Sequence, residues 1–225
     1  MNLRGFEGEF SNSDINSATL AIAHHPDVIR SNIYKYEKHL LPIIRQYVSP
    51  HACLLDYGCG SGEMLMVAKA AGYQVSGYDP SPEAVATARN LIGMSSIYSD
   101  TQAITEKFDL VMCISVLQYS ANPKATLAKM VSFLKPNGVL IIGHPNRYSV
   151  YQFLTNQRFP AHWCQIPQPD HVQKIGVHLG VSDFLYTSEK KRAIKRLILM
   201  IEKLCWFFKV DVSFQKVVVY RKQQA

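Results

Sequence analysis

The densest chemistry in this chain lies in one stretch, Leu54-Leu55-Asp56-Tyr57-Gly58-Cys59-Gly60-Ser61-Gly62. An apolar run ends in an acid, passes through three glycines at alternate positions and enters an apolar helical pattern, which predicts a strand, a tight loop and a helix. Glycine is needed where the backbone takes positive φ or where a ligand lies against the main chain. A turn of this kind after a parallel strand receives a nucleotide-like ligand. The phosphate-binding form is G-x-G-x-x-G, whereas the spacing here is G-x-G-x-G with Glu63 following at once. An acid opening the helix disfavours a pyrophosphate, and Asp56 adds a second negative charge. The loop therefore favours a ligand that is uncharged or cationic at this point.

Further chemical groups recur at the ends of apolar runs. Asp79 closes Tyr73-Gln74-Val75-Ser76-Gly77-Tyr78-Asp79, about 20 residues past the loop, where a carboxylate can accept hydrogen bonds from both hydroxyls of a ribose. The alternative for Asp79 is a cap on the helix that begins near Pro82. Asp100 follows Ser96-Ile97-Tyr98, Ser115 ends the near-continuous apolar run 108–115, and His144 follows the run 139–142. For Asp100 a solvated loop position is the alternative.

Between these runs lie helical patterns over 64–71, 82–91 and 124–134. Strands alternating with helices predict an α/β fold with a parallel sheet and right-handed crossovers, whose ligands gather at the carboxyl ends of the strands. Asp56, Asp79, Asp100, Ser115 and His144 all fall at such ends. A leading amphipathic helix is predicted from Ile29, Ile33, Tyr36, Leu40, Ile43, Ile44 and Tyr47, stopped at Ser49-Pro50, after a polar arm at 1–19. Past Gly143 the pattern becomes irregular until about 188, as in a binding loop or lid, with Tyr148, Tyr151, Phe153, Phe159 and Trp163 available to line a pocket or fill a core. The segment 190–209 reads as a basic amphipathic helix, and 210–214 with 217–220 as a closing strand pair. The expected organisation is an arm and covering helix at 1–50, then a domain at 51–225 with a substrate-binding insertion at about 144–188.

The loop 54–62, the acid at Asp79 and the turn Leu134-Lys135-Pro136-Asn137-Gly138 before a strand together resemble class I S-adenosylmethionine-dependent methyltransferases. The resemblance implies a Rossmann-like fold, with a mainly parallel seven-stranded sheet, an antiparallel last strand and helices on both faces. It implies S-adenosylmethionine as cofactor, S-adenosylhomocysteine as product and no metal. The binding residues it implies are Asp56, Gly58, Gly60, Gly62, Asp79, Asp100 toward the adenine amino group, and Ser115. Many members carry a histidine after the fourth strand, and this chain has Gln118 there. Asn146-Arg147 and Pro167-Gln168-Pro169-Asp170-His171 resemble elements of the O-methyltransferases that act on polyprenylated phenols in ubiquinone biosynthesis, with Pro169-Asp170 where those have Gly-Thr.

The expected function is methyl transfer to a small or lipophilic molecule, most simply at a hydroxyl. A phenol, with a free pKa of about 10, needs a base, and histidine is the natural one near neutral pH. His171 is the first candidate and His144 the second. The formal charge of +7 leaves room for a polyanionic partner, making an RNA methyltransferase one alternative. A non-catalytic adenosylmethionine-binding subunit is the other. No arginine-rich tail accompanies the charge, so nucleic acid is not the expected partner. Cys53, Cys59, Cys113, Cys164 and Cys205 show no C-x-x-C pair and read as reduced thiols. With no run of about 18 uncharged apolar residues, the expectation is a cytoplasmic protein. The helix at 190–209 either packs on the core or makes peripheral contact with an anionic membrane.

Overall fold

The computed structural model describes residues 26–93, 96–150, 152, 164–180, 192–207 and 215–223. Its centre is a seven-stranded sheet of β1 (Cys53–Tyr57), β2 (Gln74–Tyr78), β3 (Ile97–Tyr98), β4 (Phe108–Ile114), β5 (Leu134–Pro145), β6 (Val172–Gly180) and β7 (Gln215–Lys222), in the order β3-β2-β1-β4-β5-β7-β6. The first five strands pair in parallel, and β7 runs antiparallel to both β5 and β6. The last strand is thus the antiparallel one, as expected.

The helices are α1 (Pro26–Lys35), α2 (Leu41–Tyr47), α3 (Glu63–Ala70), α4 (Pro82–Ile92), α5 (Pro123–Phe133) and α6 (Arg192–Phe207), with a π-helical turn at Tyr36–Leu40 joining α1 to α2. Successive strand residues face opposite sides of a sheet. Leu54, Val75, Leu110 and Ile141 accordingly pack with α2, α3 and α4, while Leu55, Val111, Leu140 and Ile142 pack with α5. Local capping sets the helix starts. The Ser81 hydroxyl accepts from the Ala84 N–H at 3.3 Å with Pro82 following, and Asn122 Oδ1 accepts from the Ala125 N–H at 3.1 Å with Pro123 following.

Two expectations change. Within the stretch read as irregular, 172–180 is strand β6. It is an edge strand with residues exposed on both faces, and its register slips between Lys174 and Gly176, so it lacks the period-two pattern that marks a half-buried strand. The closing strand β7 contains 217–220 as expected, yet its partners are β5 and β6. The segment 210–214 lies outside the described residues.

Candidate active site at the strand carboxyl ends

Asp56, at the end of β1, is buried, 4% exposed, and lies in register with Gly77 of β2 and Met112 of β4. Burial, then the charges of Asp79 and Glu63, push its carboxyl up to about 8. Glu63, in the first turn of α3, is also buried. Asn32 of α1 donates to Glu63 Oε1 at 3.4 Å and accepts from the Lys35 ammonium at 3.4 Å. The Tyr36 hydroxyl is held strongly protonated by burial and by the charges of Glu63 and Asp56. Asn32, Lys35 and Tyr36 were not foreseen as site residues. Helical spacing marked the leading helix as amphipathic, but only the tertiary fold sets it against the glycine loop.

The loop is held by its own backbone and by Asp79. Gly58 and Cys59 both donate to the Tyr78 carbonyl, at 2.6 and 2.9 Å, which docks the loop onto the end of β2. Asp79 Oδ2 accepts from the Gly60 N–H at 2.9 Å and Oδ1 from the Ser81 N–H at 3.0 Å. Burial raises the Asp79 pKa, while these two N–H donors oppose that shift. Asp79 therefore does not cap α4, a role taken by Ser81, and each of its oxygens retains a lone pair for a further donor.

All three glycines have positive φ: 90° at Gly58, 52° at Gly60 and 90° at Gly62. A Cβ on Gly58 would lie 2.5 Å from the Val116 side chain, and one on Gly62 2.8 Å from Ile92. A Cβ on Gly60 would meet nothing within 4 Å. The outer glycines thus serve packing, and the middle one faces open space. Beside it the Ser61 hydroxyl is buried and has no hydrogen-bond partner among the described residues.

Ser115, just past β4, has φ 58°, donates its N–H to the Gly143 carbonyl at 2.8 Å and accepts at Oγ from Gln215 Nε2 at 2.7 Å. Gln215 opens β7, and no sequence signal linked it to Ser115. His144 is buried near the end of β5, with Nδ1 3.0 Å from the Pro145 carbonyl oxygen. In the tautomer protonated at Nδ1, Nε2 is the basic nitrogen. Gln118 lies in the turn Leu117–Tyr119, with a buried Oε1 that has no partner among the described residues. Asp100 is exposed and accepts from the Gln102 N–H at 2.9 Å, capping the short turn Thr101–Ala103. It stands at the end of β3, on the same edge of the sheet.

His171 is not brought to this edge. It precedes β6, whose Val172 pairs with Lys222, and β7 in turn pairs Arg221 with Val139 of β5, which lies in register with Leu110 near the start of β4. His171, at φ 60° and with its carbonyl accepting from the Gln223 N–H, therefore sits at the amino-terminal edge of the sheet, the whole length of β6 from the carboxyl edge. Proximity to β5 in sequence misled, because β6 starts from the opposite edge. Of the aromatics proposed to line a pocket, Tyr148 is 71% exposed, and Tyr151, Phe153, Phe159 and Trp163 lie outside the described residues.

Comparison with known proteins bears on this geometry. The ubiquinone biosynthesis O-methyltransferase of Rhodopseudomonas palustris (strain HaA2) is 31% identical over 101 residues, 42% of this chain and 40% of the relative. That of Xanthomonas campestris pv. campestris (strain B100) is 33% identical over 122 residues, 48% of this chain and 51% of the relative. The chain thus spans about half or less of the length of these curated relatives. Among solved structures, magnesium protoporphyrin IX methyltransferase from Synechocystis PCC 6803 with bound SAH superposes with a TM-score of 0.59 at 14% identity, covering 94% of this chain and 96% of that one. The plantazolicin methyltransferase in complex with SAH gives 0.56 at 16% identity, covering 96% and 92%. At these identities the likeness concerns the fold. A family model described as a methyltransferase domain matches residues 30–178. Because that match takes in more than half of the chain, from the leading helix through every parallel strand end described above, the chain belongs to the methyltransferase domain family.

Proposed function

We propose that this protein is an S-adenosylmethionine-dependent methyltransferase whose acceptor is a small or lipophilic molecule methylated at a hydroxyl. The observation that carries the reading is the open space over Gly60, beside Asp79 and near the buried acids Asp56 and Glu63, since it offers room among acidic groups that suit a cationic ligand and no phosphate-binding feature. Adenosylmethionine, when bound, supplies a methyl group on a positively charged sulfonium. The residues present fit such a ligand. Asp79 has lone pairs left for the ribose hydroxyls, Asp100 stands at the strand end suited to the adenine amino group, and the Gly58, Gly60 and Gly62 backbone forms the floor. Glu63 supplies anionic charge toward the cationic end, Asp56, which holds its proton near neutral pH without ligand, is drawn toward its charged form by that cation, and Ser115, fixed by Gln215, bounds the site at β4.

For the acceptor, the chain's work is alignment and proton removal. His144, buried near the end of β5 with Nδ1 3.0 Å from the Pro145 carbonyl oxygen, is the group proposed among the described residues of this edge to take a hydroxyl proton. The hydroxyl reading draws support from the O-methyltransferase names of the curated relatives. The arm and covering helix at 1–50 and the stretch from 144 are the proposed means of enclosing the acceptor.

The test is calorimetric binding of adenosylmethionine, followed by transfer of labelled methyl to pools of phenols, lipid extract and RNA. Wild type binds, and Asp79→Ala binds roughly ten to a hundred times more weakly, as expected for the loss of hydrogen bonds to a charged group. Label appears in a phenolic or lipid fraction. Unchanged affinity in folded Asp79→Ala overturns the assignment of Asp79, and label confined to RNA overturns the acceptor.

A further inference from the structure

At the carboxyl edge, Ser115 holds a left-handed backbone, φ 58°, that a residue with a side chain seldom adopts. Such a conformation persists where the surroundings over-determine it, and it gathers at sites that bind or react. Two contacts from separate strands hold it here. The Ser115 N–H donates to the Gly143 carbonyl of β5 at 2.8 Å, and its Oγ accepts from Gln215 Nε2 of β7 at 2.7 Å. Gln215 is 2% exposed, whereas Ser115 is exposed. A buried amide thus reaches out to an open hydroxyl.

The neighbouring residues make room for that reach and set its direction. A Cβ on Gly143 would stand 3.0 Å from Gln215 Nε2 and 2.9 Å from the Ile114 side chain, so a side chain there would push the amide away from Ser115. Val116, the next residue, is the wall against which Gly58 packs, which sets Ser115 beside the start of the glycine loop. Residues two apart on a strand share a face. Leu54 and Val217 lie in one core layer with Met64 and Leu65 of α3, so Asp56 and Gln215 face the side of the sheet to which the loop leads.

The polarity of the bond gives it a chemical meaning. A serine hydroxyl has one proton and two lone pairs, and an amide nitrogen only donates. With Gln215 Nε2 donating into Oγ, the Ser115 proton is left for another acceptor, and among the described residues it has none. The hydroxyl is set as a donor toward what lies over the loop.

We propose that Gln215 is a positioning residue that holds the Ser115 hydroxyl as a hydrogen-bond donor to an oxygen of adenosylmethionine. This rests on the reading of the loop as an adenosylmethionine site and deepens it, since Gln215 lies outside the stretch 30–178 that the family model matches.

Adenosylhomocysteine, which carries the same ribose and carboxylate oxygens, is titrated calorimetrically into the full chain and its variants, with thermal midpoints measured alongside. Gln215→Glu is the discriminating variant. A carboxylate accepts, so the Ser115 hydroxyl turns its proton toward it; the tie between β4 and β7 survives while the donor to the ligand is lost. Gln215→Glu and Ser115→Ala are each expected to bind about tenfold more weakly, and Gly143→Ala to weaken binding in the same direction. In Ser115→Ala/Gln215→Glu the loss is no larger than in Ser115→Ala alone, because Gln215 acts through that hydroxyl. The proposal is overturned if folded Gln215→Glu binds as wild type does, the result for a tie that only braces the sheet. It is also overturned if Gln215→Glu weakens binding as much in the Ser115→Ala background, which makes the added charge the cause. Should Gln215→Glu fail to fold, Ser115→Ala decides: unchanged affinity overturns the proposal, and a loss to which Gly143→Ala adds nothing supports it. Wild type that binds no adenosylhomocysteine sinks the cofactor reading itself, an outcome distinct from full affinity retained in Gln215→Glu.

Discussion

Gly58, Gly60 and Gly62 share positive φ, but what a methyl group would encounter differs at each, and that difference separates packing from binding. Alanine at Gly60 carries only the left-handed backbone cost of about 1–2 kcal/mol. Alanine at Gly58 adds an overlap with Val116, a further cost of roughly 1–3 kcal/mol. Gly58→Ala is therefore expected to lower the thermal midpoint more, whereas Gly60→Ala should keep most of the stability and lose adenosylmethionine affinity; the reverse ordering would remove the ligand from above Gly60. The two histidines also separate. With a hydroxyl acceptor, His144→Ala should lower kcat by roughly 10² to 10⁴ at constant cofactor affinity, and the wild-type rate should fall as pH drops through the imidazole range. His171→Ala should keep full turnover, because that residue sits at the opposite edge of the sheet. Loss of rate in His171→Ala alone would restore it as the base.

At the scale of elements, the leading helix is placed by two features. The π-helical turn at Tyr36–Leu40 widens the helix where Tyr36 meets the acids of the glycine loop, a deviation frequent at functional sites. Farther on, the Tyr47 hydroxyl lies 2.8 Å from His178 Nε2, tying α2 to the edge strand β6. That bond explains a glycine in the middle of a strand, since a Cβ at Gly176 would fall on the Tyr47 hydroxyl. Tyr47→Phe should reduce unfolding free energy by about 0.5–1.5 kcal/mol in denaturant titration, the usual net worth of one hydrogen bond. Gly176→Ala should cost at least as much by expelling the ring. If both substitutions leave the denaturation midpoint unmoved, the leading helix is not anchored at β6.

At the scale of the whole molecule, burying Asp56 beside Asp79 and Glu63 makes stability depend on pH. Its carboxyl rises from an ordinary 3.8 to about 8, so between those values the folded chain holds a proton that the unfolded chain has released. Unfolding free energy then falls as pH rises through that window. The thermal midpoint should decline from pH 5 to about 8 in wild type and decline less in Asp56→Asn; equal slopes would assign the dependence to other groups. What the amino-acid sequence determined by itself was local. Apolar runs ending in Asp56, Asp79 and Ser115, with glycine punctuation and helical spacing between them, specified strands, crossovers and the edge where ligands gather, because those features depend on backbone conformation and side-chain period alone. Strand β6 escaped because a register slip erased its period, and His171 was misplaced because direction across a sheet is not written in residue spacing. The pairing of Ser115 with Gln215, the approach of Asn32 to Glu63, and the placing of β6 beside β7 join segments far apart in sequence. Such contacts depend on how whole elements stack, and only the tertiary structure decided them.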